Sequence, residues 1–273
     1  MDDIDVIPLT RNIGAELVGV DLRTPLSEAQ FGVVHEALMA HQVIFLRDQY
    51  ITSEQHLAFG KRFGELHVHP LAPSINDIPE LMRIHTDKDS YRNNGSDWHT
   101  DVSCDVEPPM GSILHLHTLP KTGGDTLFSS MYAAYDALSE QMKRILDPMV
   151  AVHGSEHVYS HNYGGKGVLR RNEYPSAEHP VIRTHPVTGK RGIYVNRTFT
   201  THIKDLSRRE SDALLGFLYT HVENPTFHCR FQWTENAIAF WDNRCVQHFA
   251  VWDYFPDTRS GARVTVAGDA PFH

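Results

Sequence analysis

Residues 237–248 of the chain read AIAFWDNRCVQH and decide the class of fold. The first five residues are apolar, and they are bounded by Asp242 and Asn243, two residue types that favour turns. A second short segment then leads to His248. The pattern predicts a strand, a turn and a second strand that ends in the histidine. It is typical of a β-rich fold that carries a polar side chain at the end of a strand.

Short segments of the same kind recur along the chain. They are separated by Gly, Pro, Asn and Asp, and they lie at 43–46, 111–117, 126–129, 149–153, 191–195, 226–232, 237–241 and 262–267. Many short strands with frequent turns predict a sandwich or a barrel and not a doubly wound α/β sheet.

Three helices are predicted from capping boxes. These pair Ser27 with Gln30, Thr52 with Gln55, and Ser207 with Glu210. Because no repeat or Gly/Ser-rich linker divides the chain, we expect residues 1–273 to form a single, mostly β domain with flanking helices.

Three stretches are predicted to be long loops, and loops of that length are often functional. They cover 65–80, 86–98 and 154–180. Around the last of them, His153, Glu156, His157 and His161 are expected to belong to a solvated lid, and the sequence assigns no role to these residues.

Composition excludes several classes of function. The 25 Lys and Arg residues against 34 Asp and Glu residues give a net charge of −9, and no basic run offers a surface for nucleic acid or an anionic membrane. The N-terminus is acidic and no apolar run is long enough to span a membrane, so we expect a cytoplasmic protein. Cys104, Cys229 and Cys245 form no C-x-x-C pair and are predicted to be reduced thiols.

Two H-x-D pairs are candidate metal ligands, because residues i and i+2 of an extended segment face the same side. They are His85-Thr86-Asp87 and His99-Thr100-Asp101. The first ends a plausible strand at 81–84 and enters a polar loop, so it is interpreted as a strand exit. The second follows Trp98, which is expected to form a dry wall beside a metal, and it precedes an apolar strand. The sequence therefore favours the second pair.

His248 is the best candidate for a third ligand from a distant strand. Two histidines and one carboxylate leave three positions of an ion open, an arrangement typical of iron(II) oxygenases. Zinc hydrolases use related ligands but usually leave one position open. A zinc hydrolase, or a metal-binding β-barrel without oxygenase activity, therefore stays open as an alternative.

Two arginines follow the third candidate ligand. Arg259 and Arg263 come 11 and 15 residues after His248. If 259–265 is a strand, they share a face and lie about 13 Å apart. Buried charges are nearly always paired, so two inward-facing guanidinium groups predict anionic ligands. The alternative is that they are surface residues that balance nearby acids such as Asp253 and Asp257.

Several motifs, taken together and in this order, resemble the taurine dioxygenase/TfdA family. The resemblance extends from Ile13-Gly14-Ala15-Glu16 to Gly268-Asp269-Ala270-Pro271-Phe272. The motifs that carry it are Trp98-His99-Thr100-Asp101, Thr122-Gly123-Gly124-Asp125-Thr126-Leu127, His185-Pro186-Val187-Thr188-Gly189-Lys190, and Trp241-Asp242-Asn243-Arg244 with Gln247-His248.

The resemblance implies a double-stranded β-helix, the cupin-like jelly roll, with Fe(II) as cofactor and 2-oxoglutarate as cosubstrate. By similarity, the iron ligands are His99, Asp101 and His248. Thr126 and Arg259 are implied to hold the distal carboxylate of 2-oxoglutarate, and Arg263 the acid group of the substrate. His69 and Phe199 match positions of the substrate pocket.

The implied reaction consumes 2-oxoglutarate and O₂, releases succinate and CO₂, and hydroxylates a small anionic substrate at a carbon next to a heteroatom. A sulfonate, an alkyl sulfate or an aryloxyalkanoate fits this description, and taurine itself is the alternative. Two departures argue against taurine: Ala72 stands where the taurine branch has a tyrosine, and Gly95 where it has an asparagine, although Asn93 and Asn94 are close enough to substitute. The oligomeric state stays open, a homo-oligomer included.

Overall fold

The computed structural model describes residues 4–69, 72–93, 95–162 and 174–273. The strands are β1 (Asp5–Pro8), β2 (Ala15–Val18), β3 (Val43–Leu46), β4 (Ser74–Ile75), β5 (Ile78–Thr86), β6 (Gly111–Thr118), β7 (Thr126–Ser130), β8 (Val150–Gly154), β9 (Ser176–Pro180), β10 (Ile182–Thr184), β11 (Arg191–Ile193), β12 (Thr200–Ile203), β13 (His228–Phe231), β14 (Ala237–Asp242), β15 (Val246–Ala250) and β16 (Arg259–Val266). The helices are α1 (Glu28–His41), α2 (Ser53–Lys61), α3 (Met131–Asp136), α4 (Glu140–Leu146), α5 (Glu156–Asn162) and α6 (Arg208–Val222).

The three predicted capping boxes are confirmed. In each box the side chain of the capping residue accepts a hydrogen bond from the backbone N–H of the third helical residue. The side chain of that third residue in turn accepts the backbone N–H of the capping residue. The capping residues are Ser27 of α1, Thr52 of α2 and Ser207 of α6. Each box satisfies two backbone donors that the first turn of a helix leaves free. In the part of the chain that the structure describes, no helix combines the length and the apolar character needed to cross a membrane.

Two sheets pack face to face and enclose the central core. The larger sheet has the strand order β1-β2-β3-β14-β6-β16-β5-β4, and the smaller has the order β13-β7-β15. Phe45 of the larger sheet stacks on Phe231 of the smaller one with ring centroids 4.0 Å apart, and Phe128 packs beside them. The predicted mostly β sandwich is therefore confirmed for the described residues.

Helices cover the outside of this sandwich. Helices α1 and α2 pack on the outer face of the larger sheet, where Leu38 and Phe59 join a cluster with Leu81 and Val264. A separate apolar cluster joins α3, α4 and α6 to strands β8, β10, β11 and β12. These outer layers leave the space between the two sheets available for a site.

The segment 237–248 differs from its prediction in two respects. Strand β14 pairs with β3 and β6 in the larger sheet, whereas β15 pairs with β7 in the smaller one. The turn at Asp242 and Asn243 therefore carries the chain from one sheet to the other instead of closing a hairpin. Strand β15 also continues to Ala250, so His248 lies in the middle of its strand.

Two of the predicted loops contain regular structure. Strand β5 covers nine residues from Ile78, although loop was predicted as far as residue 80, because it pairs along β16. Residues 156–162 form α5 and residues 176–180 form β9, which pairs with β8. Strands β5 and β9 alternate between exposed and less exposed residues and so lack a continuous apolar run, and pairing with β16 and β8 holds them in their sheets. Strand β16 likewise begins at Arg259, three residues earlier than predicted.

Candidate metal centre and its pocket

His99, Asp101 and His248 meet between the two sheets. His99 and His248 exchange backbone hydrogen bonds of 3.1 and 2.8 Å, which places their side chains together. Asp101 follows two residues after His99, and one ligand atom from each of the three residues lies within 4.8 Å of the others. All three side chains are buried. The second H-x-D pair and the predicted third residue thus form one cluster.

The three side chains are in the protonation states that a metal requires, namely neutral imidazoles and an ionised carboxylate. Burial lowers the pKa of both His99 and His248. Burial alone would raise the pKa of Asp101, but the charge of Arg263 and a hydrogen bond from Ser112 hold it well below its usual range. The Nδ1 atom of His99 donates to the Asp97 carbonyl at 2.7 Å, which leaves Nε2 as a lone-pair donor.

The carboxylate of Asp101 is held in one orientation. Ser112 donates to its Oδ2 atom at 2.7 Å and Arg263 donates to its Oδ1 atom at 2.7 Å. Asn243 donates to Ser112 at 3.1 Å and accepts the indole N–H of Trp241 at 3.0 Å. In contrast, the Nδ1 atom of His248 is buried and has no hydrogen-bond partner among the described residues. Two histidines and one carboxylate of this kind fit a divalent metal with open coordination positions.

A pocket of about 410 Å³ contains the cluster. Thr126 lines it from β7, where it pairs with Ala250, two positions from His248. Arg259 and Arg263 line it from β16, where they face Thr86 and Met82 of β5. Both arginines are buried, as expected for two residues four positions apart on one strand face. The surface alternative considered for them is therefore wrong.

Arg259 is a buried cation that has no carboxylate partner among the described residues. Its Nε atom donates to the Gly124 carbonyl at 3.1 Å and its Nη2 atom to the Thr126 hydroxyl at 3.4 Å. The guanidinium carbon lies 5.5 Å from the centre of the Trp233 ring, and burial lowers the pKa of the group. A guanidinium stays charged at neutral pH even so. A buried charge of this kind is stable when an anion binds beside it.

Arg263 is only partly satisfied by the protein. Its Nη1 atom contacts Asp101, and its Nη2 atom lies 3.2 Å from the sulfur of Met82. Its Nε atom is buried and has no partner in the described parts of the chain. A thioether is a weak acceptor, so the Nη2 and Nε groups of Arg263 remain available to a stronger hydrogen-bond acceptor. Arg263 therefore offers a second place for an anion, next to the metal ligands.

The two predicted pocket residues, His69 and Phe199, line the same cavity. Burial first, and then the charge of Arg263, lower the pKa of His69 to about 4, so its ring is neutral at pH 7. Its Nδ1 atom accepts the backbone N–H of Ala72 at 3.0 Å. A Cβ atom at Gly95 would lie 3.2 Å from the Cβ of Ala250, so a larger side chain there would narrow the pocket.

Trp98 does not form the predicted dry wall beside the metal ligands. Its ring packs against His228 and Phe249, with centroids 4.6 and 5.7 Å away. The wall beside the metal ligands comes instead from Trp241, whose ring centre is 4.5 Å from that of His248 and which lines the pocket. Trp241 is the last apolar residue of β14, and the sequence gives no sign that this strand lies next to His248.

The histidines that were expected in a solvated lid differ in their exposure to solvent. His153 is buried and hydrogen-bonds Ser103 at 3.0 Å, so the prediction is wrong for this residue. His157 is exposed and its Nε2 atom bonds the Thr198 carbonyl at 2.7 Å. The side chain of His161 lies outside the described residues, as does Asn94.

A second buried cluster, His185 with Asp242 and Cys245, has ligand-like spacing, but hydrogen bonds to described residues already engage the atoms that could bind a metal. The Nδ1 atom of His185 accepts two backbone N–H groups, so its Nε2 atom carries the proton and donates to Asp242 at 3.0 Å. Arg244 also binds the Asp242 carboxylate. Burial raises the pKa of Cys245 well above its usual value, which keeps the thiol protonated. We therefore interpret the cluster as a hydrogen-bond network that holds the connection between β14 and β15, and not as a metal site.

Comparison with known proteins agrees with this geometry. The family model described as taurine catabolism dioxygenase TauD, TfdA family matches residues 5–265. An alpha-ketoglutarate-dependent sulfate ester dioxygenase of Pseudomonas putida is 34% identical over 98% of this chain and 91% of its own length. An alpha-ketoglutarate-dependent sulfonate dioxygenase of Saccharomyces cerevisiae is 32% identical over 98% of this chain and 68% of its own length.

Solved structures give the same result. The crystal structure of a taurine dioxygenase from Burkholderia xenovorans superposes with a TM-score of 0.85 at 36% identity, and the match covers 98% of this chain and 90% of that one. The similarity confirms the predicted jelly-roll fold. Alpha-ketoglutarate is 2-oxoglutarate, so the cosubstrate in the relatives' names is a dicarboxylate that requires cationic partners.

Proposed function

The chain belongs to the TauD/TfdA family and is a 2-oxoglutarate-dependent dioxygenase that uses a metal, and from this premise we propose that it hydroxylates a small sulfonate, alkyl sulfate or aryloxyalkanoate at a carbon next to a heteroatom. The metal in this proposal is Fe(II), held by His99, Asp101 and His248. The other products are succinate and CO₂.

One observation carries the assignment of the cosubstrate site. Arg259 is buried beside the metal ligands with no carboxylate partner in the described chain, and Thr126 lies within reach of its guanidinium. We assign these two residues to the distal carboxylate of 2-oxoglutarate, because an arginine binds a carboxylate through two parallel hydrogen bonds. A zinc hydrolase has no use for such a site.

The ligand set supports iron over zinc, since a triad of this kind leaves three coordination positions for other ligands. When bound, iron(II) supplies the O₂-dependent decarboxylation of 2-oxoglutarate and the coupled oxidation of a C–H bond. The protein holds the reactants in place and keeps water out. Ser112 and Arg263 fix the direction of Asp101, and Trp241 forms the apolar wall next to His248.

Arg263 and His69 are proposed to bind the acid group of the substrate. Both line the pocket beside Asp101, and Arg263 has a buried N–H that no described residue accepts. The rest of the lining there is mostly apolar and includes Val102, Val158 and Phe199. An anionic head on an apolar body fits this combination, as in the sulfate ester and sulfonate named for the relatives.

Taurine is the second candidate, and the lining disfavours it. Asp101 is the one acidic side chain among the described lining residues, and it already contacts Arg263. The ammonium group of taurine would therefore enter the pocket without a carboxylate partner, at a cost in desolvation. Gly95 and Ala72 also leave more space than the corresponding residues of the taurine branch.

The reaction predicts recognisable products. Hydroxylation of the carbon that carries the sulfur or oxygen gives an adduct that collapses to an aldehyde or ketone. The leaving group is then sulfite from a sulfonate, sulfate from an alkyl sulfate, or a phenol from an aryl ether. The oxygen inserted into the C–H bond becomes the new carbonyl oxygen, and the leaving group departs with the bonding electron pair.

A side-by-side assay tests the proposal. Succinate release is measured with taurine, longer alkylsulfonates, alkyl sulfates and aryloxyalkanoic acids, with the Asp101→Ala variant as the inactive control. We expect an anion with an apolar body to have the highest kcat/KM. The proposal fails if taurine is clearly best, or if a neutral or cationic compound exceeds every anion.

A further inference from the structure

Trp233 contacts Thr126, a residue of the proposed cosubstrate site, from the side away from the pocket. It lies two residues after the end of β13, is half-buried, and is absent from the described lining of the pocket. Its indole Nε1 atom donates a hydrogen bond of 3.0 Å to the hydroxyl of Thr126. The edge of its ring packs against Phe231, whose centroid is 5.0 Å away, so the indole is held in one place.

The Thr126 hydroxyl oxygen accepts from two donors. One is the indole N–H, and the other is Nη2 of Arg259 at 3.4 Å. A hydroxyl has one proton and two lone pairs, so both lone pairs are engaged. No protein acceptor contacts this hydroxyl within the described ranges. Its proton therefore points away from both donors, toward the pocket that Thr126 lines.

We infer that Trp233 is a positioning residue for 2-oxoglutarate: it fixes Thr126 as a hydrogen-bond donor to the distal carboxylate. The inference rests on the proposed cosubstrate site. Without the indole N–H, the hydroxyl can rotate and turn a lone pair toward the carboxylate, which would repel it. Trp233 also lies beside the guanidinium of Arg259, so the same ring borders both groups that receive the anion.

A double-mutant cycle separates the hydrogen bond from packing. Trp233→Phe keeps a ring beside Arg259 but lacks the N–H. Thr126→Val keeps the shape of the side chain but lacks the hydroxyl, and Thr126→Ser keeps the hydroxyl. The readout is the binding of 2-oxoglutarate to the Mn(II)-loaded protein by calorimetry, without turnover, and thermal melting confirms that each variant is folded.

Trp233→Phe should weaken 2-oxoglutarate binding roughly 2- to 12-fold, the range for one hydrogen bond between uncharged groups. The same change should have no effect in the Thr126→Val background and its full effect in the Thr126→Ser background. An unchanged affinity for the single Trp233→Phe variant would overturn the inference. An equal loss with and without the hydroxyl would also overturn it, since that result assigns the effect to packing against Arg259.

The failure of the cosubstrate site itself would look different. If Arg259→Ala binds 2-oxoglutarate as tightly as the unchanged protein, the dicarboxylate binds elsewhere, and the proposed function is wrong at this point. If Arg259→Ala loses affinity and Trp233→Phe does not, the site stands and only the role of Trp233 is rejected.

Discussion

The tripeptide His-Thr-Asp occurs twice in this chain, and the two copies present opposite faces to the same pocket. In the copy at 99–101 the histidine and the aspartate point inward and join His248. In the copy at 85–87 the aspartate is not among the described residues that line the pocket, and the histidine, which lines the pocket but is exposed, pairs with it at 3.2 Å. The middle threonine is the inward residue there, and its hydroxyl hydrogen-bonds Tyr254 at 2.7 Å.

The difference shows that the same three residues can or cannot bind a metal, according to which of their side chains face the pocket. Side chains alternate along an extended chain, so a shift of one position exchanges the two faces. Each copy is connected to one of the two pocket arginines. Thr86 faces Arg259 across the pairing of β5 with β16, and Asp101 binds Arg263. Variants at these four positions can therefore test the comparison from both sides.

The largest expected effect is at Asp101. Asp101→Ala should abolish metal-dependent turnover, because it removes the charged ligand of the cluster. Asp87→Ala should leave turnover within a few fold, since it breaks only a partly exposed pair with His85, and such pairs contribute little. The measurement is succinate formation, with melting curves for both variants. Equal loss in two folded variants would show that the wrong copy was chosen.

The next effect concerns Arg259. Arg259→Ala should raise the apparent KM for 2-oxoglutarate roughly 10- to 150-fold, the effect of losing a charge-assisted contact of about 1.5–3 kcal/mol. Arg259→Lys should restore only part of the affinity, because an ammonium cannot form two parallel bonds. Arg208→Ala, which removes an exposed arginine of α6, is the control. An unchanged KM in the first variant would refute the assignment.

Arg263 should affect the substrate more than the cosubstrate. Arg263→Ala is expected to lower kcat/KM for the organic substrate about tenfold or more, through the loss of a charged hydrogen-bond donor. Decarboxylation of 2-oxoglutarate without substrate should change by less. Both rates are measured as succinate release, with and without substrate. A parallel fall in the two rates would mean that Arg263 acts through Asp101 alone.

The smallest effect is expected at the two threonines. Thr86→Val removes the hydroxyl that contacts Tyr254 and should raise the KM for 2-oxoglutarate roughly 2- to 12-fold. Thr100→Val removes a donor to the Val246 carbonyl at 3.0 Å, and should lower the free energy of unfolding by about 1–3 kcal/mol, because that carbonyl is left unsatisfied. Denaturant unfolding and steady-state kinetics measure the two quantities. The reverse pattern would contradict the inward and outward assignment.

The sequence predicted those parts of the fold that depend on neighbouring residues. The capping boxes of α1, α2 and α6 are local, and the spacing in His99-Thr100-Asp101 is local as well. The arginines on β16 were predicted to share a face because they lie four positions apart on one strand. The single-domain organisation over residues 1–273 stays a prediction.

What the sequence could not give is pairing between distant segments. Strand β15 belongs to a different sheet from β14, and this places Trp241 and not Trp98 beside His248. Trp233 could not be found from spacing either, because its contact with Thr126 spans 107 positions. Such contacts depend on which strands pair, and the residue pattern of one strand does not specify its partner.

The most direct test of the central claim is an anaerobic titration of the protein with Fe(II) and 2-oxoglutarate. A keto acid that chelates iron(II) in a site with open positions gives a weak visible charge-transfer absorption. We expect this band in the unchanged protein and in Asp87→Ala, and its loss in Asp101→Ala. The absence of the band in the unchanged protein, or its persistence in Asp101→Ala, would contradict the proposed centre.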